Sequence, residues 1–254
     1  MPDVRIETSR GGVVRTIVLD RHERRNAISP HIFDALHQAF AVTPPPQECV
    51  TLVRAEGTVF SAGVDLKERL QNGWPVESPL VKLCELMRKY PVPIVGALQG
   101  DAIAGGAMLA MHCDYLIAAE GAKIVMPLSQ LGIAPPWILS SRTVHRMGPA
   151  LSREMLLLGF PISADRLYRA NAINACVPRE RFDAEVARVV DRLARNAPLS
   201  LRAVKAALTR IDEAGIGLDV TAEDRLTRIA LDSVDAKEGQ AARLEKREPK
   251  FVGK

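Results

Sequence analysis

Aromatic residues are scarce in this chain, 4% of 254 positions, and no basic stripe is interleaved with them. That scarcity removes the stacking platforms on which single-stranded nucleic acid is held. Charge of one sign is lacking too. Thirty-four Lys and Arg face 30 Asp and Glu for a net +4, and stretches such as Arg179-Glu-Arg and Glu245-Lys-Arg-Glu mix the signs. Nucleic acid is therefore an unexpected partner, although a pI near 9.0 suits a polyanionic small ligand. Four cysteines, Cys49, Cys84, Cys113 and Cys176, are too few for a disulfide scaffold and too far apart for a close-set metal motif. Buried reduced thiols and no metal site are expected. No apolar run reaches the roughly 20 residues that span a bilayer, and the first residues enter strand-like alternation without a basic amphipathic leader. The expectation is a soluble, cytoplasmic protein without a membrane partner.

What is present is enough hydrophobic material, 47% of the chain, for a full core with one small appendage. Val4 to Thr8 and Val13 to Leu19 read as a hairpin across Arg10-Gly11-Gly12. Ser29-Pro30 supplies a helix cap and a first-turn proline, followed by an apolar stripe of Phe33, Leu36 and Phe40. Strand and helix then alternate from Val50 to about Val125, which implies right-handed crossovers and a mostly parallel sheet. After about Ile138 helical periodicity takes over, with helices expected at 139–147, 149–158, 179–196, 199–211 and 219–231.

Two glycine-bearing segments forty residues apart carry the chemistry: Gly57-Thr-Val-Phe-Ser-Ala-Gly63-Val64-Asp65-Leu66-Lys67 and Gln99-Gly100-Asp-Ala-Ile-Ala-Gly105-Gly106-Ala-Met108. Each follows a β-branched apolar run and precedes a stretch that can be helical. A strand-to-helix turn leaves N–H groups unpaired at the helix start, and glycine admits a ligand close to them. Two such turns side by side can hold an oxygen that gains negative charge.

The chain resembles the crotonase superfamily, the enoyl-CoA hydratase/isomerase family, in four motifs in order. Leu19-Asp20-Arg21 with Arg25-Asn26-Ala27-Ile28 is similar to the family's first coenzyme A contact, Phe60 to Lys67 to its first oxyanion segment, Gln99 to Ala110 to its second, and Asp235 to Phe251 to its C-terminal helix and tail. The resemblance implies an α/β fold with a spiral core of ββα turns over residues 1–195. A C-terminal helical trimerisation and lid region over 196–254 would build trimers, often paired into hexamers. It implies oxyanion donors at the backbone N–H groups of Val64 and Gly105. Coenzyme A, part of the substrate and not a tightly bound cofactor, would meet Ala27, Ala62, Val64, Asp65, Leu66, Lys67, Gly105 and Phe251. Asp65 equally suits a helix cap and Lys67 a solvated helix face.

The resemblance also marks an absence. The family's hydratases use two glutamates, and their positions here are Met108 and Leu128; a third acid position falls in Ile133-Ala134-Pro135-Pro136-Trp137. None of these can move a proton at neutral pH. Asp101, His112, His145, Ser141, Arg142, Ser129 and Gln130 are the nearest polar substitutes, none with a convincing triad order. The expected function is acyl-CoA binding with enolate stabilisation and doubtful hydration, decarboxylation being a reaction that needs no base. A catalytically lapsed binding or assembly protein is the alternative.

Overall fold

The computed structural model describes residues 3–72, 78–214, 225, 228, 229 and 231–250. The hairpin of β1 (Val4–Ser9) and β2 (Val14–Leu19) opens the chain, with Val4 opposite Leu19. Strands β3 (Val50–Ala55), β4 (Ile94–Leu98), β6 (Tyr115–Ala119) and β9 (Ala175–Val177) then add in parallel, in the order β1-β2-β3-β4-β6-β9. A second sheet of three strands, β5 (Ala102–Ile103), β7 (Lys123–Val125) and β8 (Ile162–Ser163), stands beside it.

Both faces of the parallel sheet are covered, so its strands read as nearly continuous apolar runs. Alternation still sorts the side chains. Val53, Ala55, Ile94, Leu98, Leu116 and Ala118 face one core, and Val50, Leu52, Val95, Ala97, Ile117 and Ala119 face the other. The first core is completed by α1 (Pro30–Ala41), α3 (Pro79–Lys89) and α4 (Gly105–Met111), the second by α7 (Phe182–Ala194). Ser29 caps α1 as its spacing requires, its Oγ accepting from Ile32 N at 3.2 Å. Between these helices Arg15 is buried with its guanidinium 4.8 Å from the Tyr90 ring centre, and its Nε is 3.3 Å from Glu48. The remaining helices are α2 (Leu66–Asn72), α5 (Trp137–Arg153), α6 (Ala164–Arg169), α8 (Pro198–Ala214) and α9 (Val234–Glu245). Buried Lys205 fastens α8 to the sheet, 2.7 Å from Asp114 and 3.1 Å from the Val92 carbonyl. Among the described residues no helix is long and apolar enough to cross a membrane.

Three expectations are adjusted. Short strands β8 and β9 appear after residue 138; two or three residues are too few for alternation to register. The helix beyond Gly148 widens into a π turn over Glu154–Leu158 before Gly159 stops it at φ +67°. Cys176 is only half-buried, whereas the other three thiols are buried, and all four are free. The helix expected at 219–231 lies mostly outside the described residues.

Helix α4 is seven residues long and wholly buried, and both of its ends are tightly held. At the N-terminal end Gly106 rides on Ser61: a Cβ there would lie 2.5 Å from the Ser61 carbonyl oxygen. At the C-terminal end the His112 imidazole donates from Nδ1 to the Met108 carbonyl at 2.8 Å, while Arg142 and Arg146 donate Nε to the Met111 carbonyl at 3.0 and 2.8 Å. Arg146 also donates to the Cys113 carbonyl. Cations at the negative end of a helix are stabilising, the more so when desolvated.

Two measurements test this clamp. Gly106→Ala should destabilise the fold by about 1–3 kcal/mol through overpacking against backbone. Gly121→Ala, at φ +86° with nothing within 4 Å, carries only the left-handed penalty of about 1–2 kcal/mol. Urea denaturation of both variants checks it, and the idea fails if Gly106→Ala is silent. The second measurement concerns pH. Burial, then the nearby Arg142, Arg146 and Arg88, push the His112 pKa down from 6.5 to about 3. Between those values the unfolded chain binds a proton that the folded chain refuses, so stability falls as pH falls through this window. His112→Phe should flatten that part of the stability–pH curve.

Candidate active site

Strands β2, β3 and β4 are parallel neighbours, so the loops that leave their carboxyl ends emerge side by side. Isolated bridges continue the pairing past the strands, Ile28 with Val64 and Ser61 with Ala102. Buried Asn26 ties the first loop to the second: Oδ1 accepts from Arg21 N at 2.9 Å, and Nδ2 donates to the Glu56 and Val59 carbonyls, each at 2.8 Å. Ser61 ties the second loop both ways, its Oγ donating to the Asn26 carbonyl at 2.8 Å and accepting from Gly63 N at 3.2 Å, while its carbonyl accepts from Ile103 N at 2.9 Å.

This lacing forces the two glycine turns together. At Gly63, φ is +86°, and a Cβ would meet the Ile103 carbonyl oxygen at 2.7 Å and Gly105 N at 3.0 Å. Ala104, the residue before α4, holds φ +48° and ψ −111°, a conformation costly for any side chain and retained only where its surroundings enforce it. Here its own N–H is fixed to the Val125 carbonyl at 2.8 Å. The strained turn leads directly into Gly105, the first residue of α4. Neither that N–H nor the Val64 N–H donates to any described residue, and Val64 N lies 3.3 Å from where a Gly105 Cβ would be.

Both groups open on a cavity of ≈ 200 Å³. Its described wall is apolar almost throughout: Ala62, Leu66, Leu80, Val81, Met108, Leu128, Leu131 and Ile133 join Val64 and Gly105, with Ser78 and Arg243 the polar exceptions. Inside such a wall a pair of N–H donors acts at low effective dielectric and is stronger than in water. The arrangement can hold a carbonyl oxygen and favour charge on it. No carboxylate or imidazole lines the described wall.

Of the residues singled out from the sequence, Ala62, Val64, Leu66, Gly105, Met108 and Leu128 are brought together on this cavity. Ala27, Asp65 and Lys67 are outside its lining. The Asp65 carboxylate caps α2, Oδ1 accepting from Lys67 N at 3.1 Å and Glu68 N at 3.3 Å, with Oδ2 3.3 Å from Arg21. Lys67 is exposed, and Phe251 lies outside the described residues. The polar substitutes are engaged elsewhere: Asp101 accepts from Lys123 N at 2.9 Å, Ser129 and Gln130 donate to the Leu157 and Leu158 carbonyls, and Ser141 donates to the Ile138 carbonyl. His145 faces a different, small cavity of ≈ 20 Å³. Sequence reasoning missed Arg243, one of several cations in the C-terminal motif with nothing to single it out, and the strain at Ala104, because alanine gives no warning of a positive φ. Among the described residues no group of three His, Cys, Asp or Glu could hold a metal.

Comparison with known proteins identifies the family. The family model described as enoyl-CoA hydratase/isomerase matches residues 9–254. The probable enoyl-CoA hydratase echA6 of Mycobacterium bovis is 33% identical over 245 residues, covering 94% of this chain and 96% of its own. A solved methylmalonyl-CoA decarboxylase in complex with 2-nitronate-propionyl-CoA superimposes with a TM-score of 0.89 at 27% identity, over 99% of this chain and 98% of that one. A match across nearly the whole length, in sequence and in structure, leaves one conclusion: the chain belongs to the enoyl-CoA hydratase/isomerase family, the crotonase superfamily.

Proposed function

We propose that the chain binds acyl-CoA thioesters with the carbonyl oxygen between the Val64 and Gly105 N–H groups, and that it stabilises an enolate formed without a protein base. The observation that carries this is the pairing of two free N–H groups with a described wall that holds Met108 and Leu128 and no carboxylate or imidazole. Hydration needs a group to activate water and another to protonate carbon. Decarboxylation needs neither at the bond-breaking step. The bond from the α-carbon to its carboxylate breaks, carbon dioxide leaves, and the electron pair delocalises onto the thioester oxygen held by the two donors. A solvent proton then completes the acyl group. The solved relative named as a methylmalonyl-CoA decarboxylase supports the same chemistry.

The second reading, a catalytically lapsed thioester-binding or assembly protein, is favoured by the same wall, since it offers nothing to move a proton. Turnover separates the two. Coenzyme A thioesters should bind, and crotonyl-CoA hydration should fall about 10⁴-fold or more below an ordinary turnover of about 10–10³ per second, each missing proton-transfer group forfeiting about 10²–10⁴. Carbon dioxide release from a malonyl-type thioester supports the enzyme; binding without release supports the lapsed protein. Rapid crotonyl-CoA hydration would refute both.

We also propose that the chain assembles as a homotrimer or a dimer of trimers. Two unlike apolar patches are exposed: Val204, Leu208 and Ile211 along α8, and Leu157, Leu158 and Phe160 at the π turn. An unlike pair docks head to tail, and such contacts close into rings when the rotation allows. Light scattering should report about three or six times the chain mass, and Leu208→Glu with Ile211→Glu should lower it. A monomer at micromolar concentration would refute the assembly.

A further inference from the structure

The described wall of the site has one charged residue, Arg243, and nothing in the proposed chemistry uses it. Arg243 stands on α9 one turn beyond Gly239, whose backbone presses on Leu131: a Cβ at Gly239 would lie 2.5 Å from the Leu131 carbonyl carbon. Residues four apart share a helix face. That face brings Arg243 to Pro127 and Leu131, where the apolar cavity meets a second, polar cavity of ≈ 470 Å³. The oxyanion donors line only the first cavity, so the shared wall lies apart from them.

Its neighbour Arg247 is engaged, 2.6 Å from both Glu238 and Glu245. Arg243 makes no hydrogen bond or ion pair with any described residue. A guanidinium left without a carboxylate at the edge of an apolar cavity offers a planar fork of donors, matched in shape and charge to a carboxylate. A methyl-ended acyl chain gains nothing from that fork. A carboxylate in the same cavity has no other described cation to meet, and burying it unpaired would be costly.

We propose that the acyl group this site takes carries a carboxylate, and that Arg243 is the residue that selects it. The proposal rests on the thioester reading above and names its substrate class, the carboxyacyl thioesters. A phosphate of the coenzyme A moiety is the other anion that the same fork fits, and the test separates the two.

Dissociation constants are measured by titration calorimetry for carboxy-ended acyl-CoAs from malonyl to adipyl, and for methyl-ended acyl-CoAs of matched length. The wild-type protein, Arg243→Gln and Arg243→Lys are compared. The wild type should prefer the carboxy-ended partner at one chain length by about 10–100-fold, the range of a hydrogen-bonded charge. Arg243→Gln should bring that ratio near one, and Arg243→Lys should retain part of it, since the cation survives without its fork. Arg243 is exposed, so both variants should fold. Equal weakening of both series, abolished when pantetheine thioesters lacking the nucleotide are used, assigns Arg243 to a phosphate and overturns the proposal. A wild-type preference for methyl ends at every length overturns it as well. If neither series binds the wild type, the thioester reading itself fails, an outcome distinct from a lost preference.

Discussion

Two backbone turns approach so closely that the space between them admits no Cβ, and the rest of the site depends on that approach. It originates in the sheet. β3 and β4 are parallel and adjacent, with Val53 opposite Gly96, so the chain leaves both strands at the same edge and must turn there twice in nearly the same volume. A parallel sheet collects its strand ends in this way whatever the loops contain. Glycine at 63 then allows a positive φ and a van der Waals gap, and Gly105 allows the facing turn to sit against Val64. A side chain at position 63 would strike the Ile103 carbonyl and displace the turn that leads into Gly105.

The approach is held at a cost. Ala104 lies outside the regions that L-residues favour, a strain of about 1–3 kcal/mol, and two N–H groups are left without partners. What offsets this is distributed around the turn. Asn26 and Ser61 stitch three loops into one surface, Ala104 N is fixed to β7, and α4 is clamped behind by His112, Arg142 and Arg146. Arg142 extends the clamp to α8 through Asp212, 2.5 Å away. A helix with so little length of its own takes its orientation from these contacts, so the donor at its start is set by residues more than one helix away. The position of that donor is thus bound to the packing of α5 and α8, none of whose described residues line the cavity.

How much of this was legible in the sequence follows from which constraints are local. The hairpin, the Ser29 cap, the alternating core and the two glycine turns are local patterns, and the fold reproduces them. Family register drew Met108 and Leu128 from the sequence, and the fold puts both on one cavity wall, though they are twenty residues apart. Residues whose role depends on distant partners were not legible. Arg146 reads as one more helical arginine until α5 is laid against the end of α4. His112, one turn after Met108, reads from the sequence sooner as a core histidine than as a catalytic group, and it is buried with its ring on the backbone. Ala104 gives no sign of its strain. Strands of two or three residues, β8 and β9, have no period to detect.

The apolar wall and the donor pair are better understood together than as a loss beside a survival. Removing acids from the cavity removes the means of moving a proton, but it also removes charge and water that would screen the two N–H groups. A backbone donor in an apolar surround polarises a carbonyl more strongly than the same donor beside a solvated glutamate. On the proposed reading, Met108 and Leu128 favour chemistry limited by charge on oxygen over chemistry limited by proton transfer. Arg243 differs from the donors in its surround, being exposed where the apolar cavity meets the polar one. Arg243 lines both cavities, and on the reading proposed above it is the charge that sets which end of an acyl group faces which way before any bond changes.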